Sequence, residues 1–107
     1  MIASSLARLG LALVFGAALM AQAAAADPDA GKRLTQQWCS GCHVVGNSDR
    51  GTDLAPPLPE IAREKGDDPQ WIKGWLVAPH PPMPNLNLSR QEIDDITAYL
   101  ASLRQRP

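Results

Sequence analysis

In Cys39-Ser40-Gly41-Cys42-His43, two thiols lie three positions apart and an imidazole directly follows the second. This C-x-x-C-H run is the attachment signature of c-type haem. Each thiol can add to one vinyl group of the porphyrin, and His43 then lies under the ring within reach of the iron. The spacing puts the two sulfurs about one helical turn apart. The chain has two cysteines in all, so no other thiol competes for this chemistry.

Other uses of the same residues suit them less well. A structural zinc site takes about four ligands. After residue 26 the chain offers two Cys and two His, so His80 would have to fold back to complete one. A thioredoxin-like pair belongs beside a βαβ pattern, which this sequence lacks. A disulfide spanning two intervening residues would be strained and a poor staple.

An iron held by His43 has a sixth position to fill or leave open. Met83 is the one methionine after residue 26, and it lies in His80-Pro81-Pro82-Met83-Pro84-Asn85 among three prolines. A lone methionine is usually core filler. A thioether is also a weak ligand, however, and it benefits from a backbone that proline has already made rigid. Met83 is therefore expected as the sixth ligand, on the logic of His/Met ligation. The rival is His80, which would give bis-His iron at a lower potential; its plainer reading is a loop histidine near the haem edge.

The surrounding elements must bring these groups together. Arg8 is the one charge in the first 26 residues, and a strongly apolar stretch from Leu9 to Met20 follows it. Ala21-Gln22-Ala23-Ala24-Ala25-Ala26 then offers small residues of the A-x-A kind. This is the pattern of a cleaved secretory signal over residues 1–26. The apolar stretch is short for a membrane span, the alternative being an uncleaved anchor. No cysteine near the cut suggests a lipoprotein, and no Arg-Arg pair suggests the twin-arginine route. Cleavage before Asp27 leaves one small domain, residues 27–107, in the periplasm. Arg8 leaves with the signal, so the formal net charge goes from −1 to −2. With no strong basic patch, nucleic-acid binding is not suggested.

A domain this small is marginal without a staple, and a buried porphyrin would supply the missing apolar volume. The haem-free chain is accordingly expected to fold poorly. The pattern is of short helices joined by proline-rich loops. Asp29 is expected to cap a first helix from Ala30 into Cys39, with Leu34 and Trp38 sharing a face. Asn47 to Asp53 is a polar loop, and Ala55-Pro56-Pro57-Leu58-Pro59 is stiff and extended. Pro59 is expected to open a short helix through Glu64, closed by Gly66. Asp68-Pro69 begins another, with Trp71, Ile72, Trp75 and Leu76 as its apolar stripe, and Pro79 stops it. Ser89-Arg90-Gln91-Glu92 is a capping box before a last helix with Ile93, Ile96, Leu100 and Leu103 on one face. No strand alternation is visible.

Taken together, the chain resembles a class I cytochrome c of the small bacterial monohaem kind. The resemblance is carried by Gly31 eight residues before Cys39, by Cys39-Ser40-Gly41-Cys42-His43, by Pro56-Pro57-Leu58, by Met83-Pro84, and by Ile96-Thr97-Ala98-Tyr99-Leu100. It implies an all-α cytochrome c fold, three to four short helices around one covalently bound haem, with the first and last helices crossing near Gly31 against Ile96 and Tyr99. It implies thioethers at Cys39 and Cys42, and His43 and Met83 as axial ligands. A carbonyl of Pro56 or Pro57 would accept the other ring N–H of His43 and strengthen that ligand. Such proteins commonly hydrogen-bond a haem propionate from a Trp or Tyr of the middle segment. Trp71 and Trp75 are both candidates, core packing being the alternative for either. Arg63, Lys65 and Lys73 are read as solvated charges rather than propionate partners. Family members often carry an aromatic four residues after the helix glycine; here that residue is Thr35, and Trp38 is the nearest aromatic to compensate.

Iron with both axial positions filled has no open site for substrate. The function expected is one-electron transfer by a periplasmic protein, not an enzyme, acting as a soluble carrier or as the cytochrome subunit of an oxidoreductase. Redox partner proteins are implied and a monomer is the simplest state. The alternative is a haem enzyme or gas sensor with a labile or open sixth position, although no distal acid–base pair beyond His80 is visible. A metal-free binding module would require the C-x-x-C-H run to be accidental.

Overall fold

The computed structural model describes residues 25–47 and 51–104. The expected signal over residues 1–26 therefore lies, apart from its last two residues, outside the described residues. Four helices follow in order: α1 (Pro28–Trp38), α2 (Leu58–Lys65), α3 (Pro69–Val77) and α4 (Arg90–Arg104). Among the described residues the only extended pairing is one antiparallel bridge, Val44 to Gly51. The fold is all-α, as the patterning implied.

Proline and aspartate set the helix starts. α1 begins two residues earlier than expected, and its cap is Asp27 rather than Asp29: the Asp27 side chain accepts from the Asp29 N–H at 2.9 Å. The reason is Pro28. It is pre-organised for the first helical position, and it holds the preceding residue extended, as a cap must be; Asp27 has φ −110° and ψ 106°. α2 starts at Leu58, one residue before the expected Pro59, and has no side-chain cap. In α3, the Asp68 carboxylate accepts from the Trp71 N–H at 3.1 Å. The capping box of α4 forms reciprocally: the Ser89 N–H donates to Glu92 Oε2 at 2.7 Å and the Glu92 N–H to Ser89 Oγ at 3.1 Å.

α4 is the element on which the others rest, packing against α1, α2 and α3. Ile93, Ile96, Leu100 and Leu103 are buried along its expected face, together with Tyr99. Of these, Ile96, Tyr99, Leu100 and Leu103 join one core cluster with Leu58 and Ala62 of α2, Ile72 of α3, and Val45. At the α1–α4 crossing, a Cβ added to Gly31 would overlap the Asp95 carbonyl and lie 2.9 Å from the Ile96 nitrogen. The crossing is therefore backbone against backbone. Thr35, one turn on, is fully buried and donates its hydroxyl to the Lys32 carbonyl at 2.8 Å. Trp38 does not compensate at this contact. It is 52 % exposed, because α1 ends there and turns it away from the core.

Two ion pairs join the outer surfaces, Lys73 to Asp94 and Arg104 to Asp67, each at 2.9 Å. Arg104–Asp67 is exposed and Lys73–Asp94 half-buried at the surface, and each contributes only a few tenths of a kcal/mol to about 1 kcal/mol.

The crossing gives opposite expectations for two glycines. Gly31→Ala should destabilise the haem-loaded protein by about 3 kcal/mol, the upper end of overpacking costs. Gly74, inside α3, has nothing within 4 Å of an added Cβ, so Gly74→Ala should stabilise by up to about 1 kcal/mol through helix propensity. Denaturant midpoints of the two variants check both signs.

Candidate cofactor-binding site

The site begins where α1 stops. Cys39 is the C-cap of α1, its N–H donating to the Thr35 carbonyl at 2.9 Å. Its own carbonyl then accepts from Cys42 N–H at 3.2 Å and from His43 N–H at 2.9 Å. Residues 39–43 thus form one more tight turn, with Cys39 and Cys42 about a turn apart as their spacing required. Ser40 Oγ ties this turn to α1 by donating to the Gln36 carbonyl at 2.7 Å.

The chain then folds back over the turn. Thr52 Oγ1 donates to the Gly41 carbonyl at 2.9 Å, the Ala55 N–H to the Cys42 carbonyl at 2.8 Å, and the Leu58 N–H to the Val44 carbonyl at 2.8 Å. Gly51 pairs with Val44 at φ +104°, where a Cβ would overlap the His43 carbonyl. Only glycine fits a backbone that is both left-handed and this close. Tyr99 of α4 anchors the same segment from below, its hydroxyl donating to the Val45 carbonyl at 2.5 Å.

This return brings Pro56 to His43. The Nδ1 of His43 lies 2.6 Å from the Pro56 carbonyl oxygen. A carbonyl only accepts, so Nδ1 carries the proton and Nε2 is left with the lone pair. Pro57 makes no such contact among the described hydrogen bonds; it stands at the N-cap of α2. Burial pushes the Cys39 thiol up to about 11. At neutral pH that thiol is protonated rather than a thiolate.

A cavity of about 770 Å³ opens over this turn. It is lined by Cys39, Cys42, His43 and Pro56, by Trp71 and Trp75 of α3, and by His80 and Met83 of the loop after it. Leu58, Ile72 and Leu100 belong to both the lining and the core. Of the sequence-predicted site residues, only Pro57 is outside the lining. Trp75 stacks edge-on against the His80 ring at 4.7 Å and lies 5.9 Å from Trp71. His80 and Met83 share one turn, the Met83 N–H donating to the His80 carbonyl at 2.9 Å. Lys65 sits 5.2 Å from the centre of the Trp71 ring, while Lys73 is engaged with Asp94.

Trp38 and Leu54 also line the cavity and were not singled out as site residues. Their signal is exposure: among the described residues, Trp38, Leu54 and Trp71 are three of the four exposed large hydrophobic residues, and all three line this cavity. Large apolar groups left uncovered together mark a binding surface. Among the described residues, no group of three or more His, Cys, Asp or Glu gathers to hold a metal ion. The zinc alternative, which needed His80 beside the cysteines, finds no such cluster. Also among the described residues, no helix is long and apolar enough to cross a membrane.

Comparison with known proteins adds two findings. The family model "Cytochrome c" matches residues 28–104. The chain is 38% identical over 97 residues to a cytochrome c-552 of Bradyrhizobium diazoefficiens, covering 89% of this chain and 93% of that protein. No solved structure gives a significant match.

The Tyr99 anchor has a measurable consequence. Tyr99→Phe removes the donor to a buried carbonyl, which should cost about 2 kcal/mol. Loosening Val45 should also speed hydrogen exchange at the neighbouring Leu58 amide. Denaturant unfolding and amide exchange of the haem-loaded variant test both.

Proposed function

The chain belongs to the cytochrome c family of electron-transfer haem proteins, and on that premise we propose that it is a periplasmic one-electron carrier whose haem is held by Cys39, Cys42, His43 and Met83. The observation that carries this reading is the hydrogen bond from His43 Nδ1 to the Pro56 carbonyl at 2.6 Å. It leaves Nε2 as the basic nitrogen of a histidine that directly follows two thiols one turn apart, beside a cavity that Met83 also lines.

The residues present suit a haem on two counts. The donor set is two thiols, an imidazole with a fixed tautomer, and a thioether. The cavity falls within the roughly 300–1,000 Å³ range of cofactor sites and is walled by aromatic and aliphatic side chains. When bound, haem supplies an iron that alternates between the ferric and ferrous states. The protein holds the group, orients it and keeps water from it. Cys39 and Cys42 hold the porphyrin through thioethers. His43 ligates with a basicity raised by the Pro56 carbonyl. Met83 ligates from a segment whose flanking prolines limit its freedom, and thioether ligation with apolar burial raises the potential. Trp71 and Trp75 supply apolar wall, and the ring N–H of either is a candidate donor to a propionate.

This reading makes the protein a carrier rather than an enzyme, since His43 and Met83 would both hold the iron and leave it no open position for substrate. It also makes residues 1–26 an export signal removed before Asp27, which matches the site's need for haem attachment outside the cytoplasm.

Three spectra of the exported protein test the proposal. Wild type should be low-spin with the weak ferric band of sulfur ligation at the red end. Met83→Ala should lose that band and the potential should fall, whereas His80→Ala should keep both. A band that survives in Met83→Ala, or disappears in His80→Ala, overturns the ligand assignment. Chain prepared without haem should show no cooperative thermal transition, because the apolar wall of the cavity then has nothing to pack against.

A further inference from the structure

Asp95 is a carboxylate in an unusual place. It is only 7% exposed, and it faces the start of α1 from the middle of the last helix. Its Oδ1 accepts from the Asp27 backbone N–H at 2.8 Å and from Gln91 Nε2 at 2.8 Å. Among the described residues no Lys, Arg or His pairs with it; the ion pairs of α4 are made by Asp94 and Arg104. A buried carboxylate is costly unless a cation accompanies it. Two neutral donors satisfy its hydrogen bonding but leave its charge unmatched.

The residue facing it is also the one at which the mature chain is expected to begin. We propose that export processing supplies the missing cation: hydrolysis of the Ala26–Asp27 bond creates an α-ammonium on Asp27 that forms a partly buried ion pair with Asp95, the carboxylate being the buried partner and Asp27 the exposed one. The proposal rests on the export reading above. In the step, an export endopeptidase adds water across that peptide bond. The Ala26 carbonyl leaves with the signal as a carboxylate, and the Asp27 nitrogen retains its place and gains protons to become an ammonium group.

Three features fit this role. The backbone N–H already donates to the Asp95 carboxylate at 2.8 Å, so charging that nitrogen adds the attraction of opposite charges to a contact already in place. A positive charge at a helix N-terminus opposes the helix dipole; the carboxylate in contact with it is that of Asp95 on α4, and the acidic residues next to it in sequence are the cap Asp27 itself and Asp29 of α1. Gln91, the remaining polar neighbour, is neutral. Its amide also lies 3.5 Å from the Ala25 carbonyl, a contact that processing removes, leaving the amide to Asp95 alone. The seat reads position as well: cleavage one residue earlier would leave the Asp27 nitrogen an uncharged amide.

The sign of the pH dependence follows. An amine that gains a partner on folding has its titration raised. Its stabilisation is fully present below the ordinary α-amine value of about 7.7–8.0 and is lost as pH rises through the higher folded value.

The test uses the exported, haem-loaded protein. Intact mass gives the first residue. Carbamylation of the α-amine by cyanate, followed across pH by peptide mapping, gives the midpoint at which the amine becomes reactive. A synthetic peptide with the same first residues is the reference. We expect Asp27 first, a midpoint about one pH unit above the peptide's, and a return toward the peptide value in Asp95→Asn. A different first residue overturns both the processing site and the proposal. Asp27 first with a peptide-like midpoint overturns the ion pair and leaves the export reading intact. The comparison of wild type with peptide decides even if Asp95→Asn fails to accumulate.

Discussion

Everything in this molecule depends on how closely α1 and α4 approach. At Gly31 the contact is peptide against peptide, with the Asp95 carbonyl in the space a side chain would need. Such a contact has no rotamers to adjust. It fixes where α1 lies, and therefore where α1 ends. Since α1 ends at Cys39, the crossing sets the position of the two thiols and of His43 relative to a helix that comes some sixty residues later. The buried row Ile93, Ile96, Leu100 and Leu103 then gives α2 and α3 a common surface. Leu100 and Ile72 extend that surface into the wall of the cavity.

The second layer of the design is the return of the chain from His43 to Leu58. Four backbone or hydroxyl contacts fold it onto the turn that carries the thiols. The result places one particular carbonyl, that of Pro56, against one particular nitrogen. The imidazole is thus oriented by a main-chain group whose own geometry is constrained by ring closure, while Tyr99 secures the same stretch from α4. Packing and the tautomer of the His43 ring are linked here through a handful of hydrogen bonds.

Much of this was legible in the residues. Asp68-Pro69, the Ser89–Glu92 box and the apolar row of α4 are local signals, because caps and helical spacing act over a few positions. Cys39, Cys42 and His43 are contiguous in sequence, so their proximity needed no fold. Met83 stood out through its flanking prolines, and all these residues meet at one cavity. What was missed is non-local or competitive. Asp27 takes the cap from Asp29 because Pro28 decides which residue is extended. Choosing Pro56 over Pro57 requires the path of a fourteen-residue return. The fate of Trp38 turns on where a helix stops, and one residue of difference turns a side chain by a hundred degrees from the core. The Tyr99–Val45 bond spans 54 positions and leaves no periodic trace.

Proline stands at both of the places that present a ligand in the role proposed: Pro56 behind His43, and Pro81, Pro82 and Pro84 around Met83. Each ring removes one soft backbone rotation. A site so constrained has few low-energy ways to rearrange when the charge at its centre changes by one unit. In that role the protein's contribution to the reorganisation energy would be small. The pace of electron exchange would then rest on how often, and in what orientation, a partner arrives.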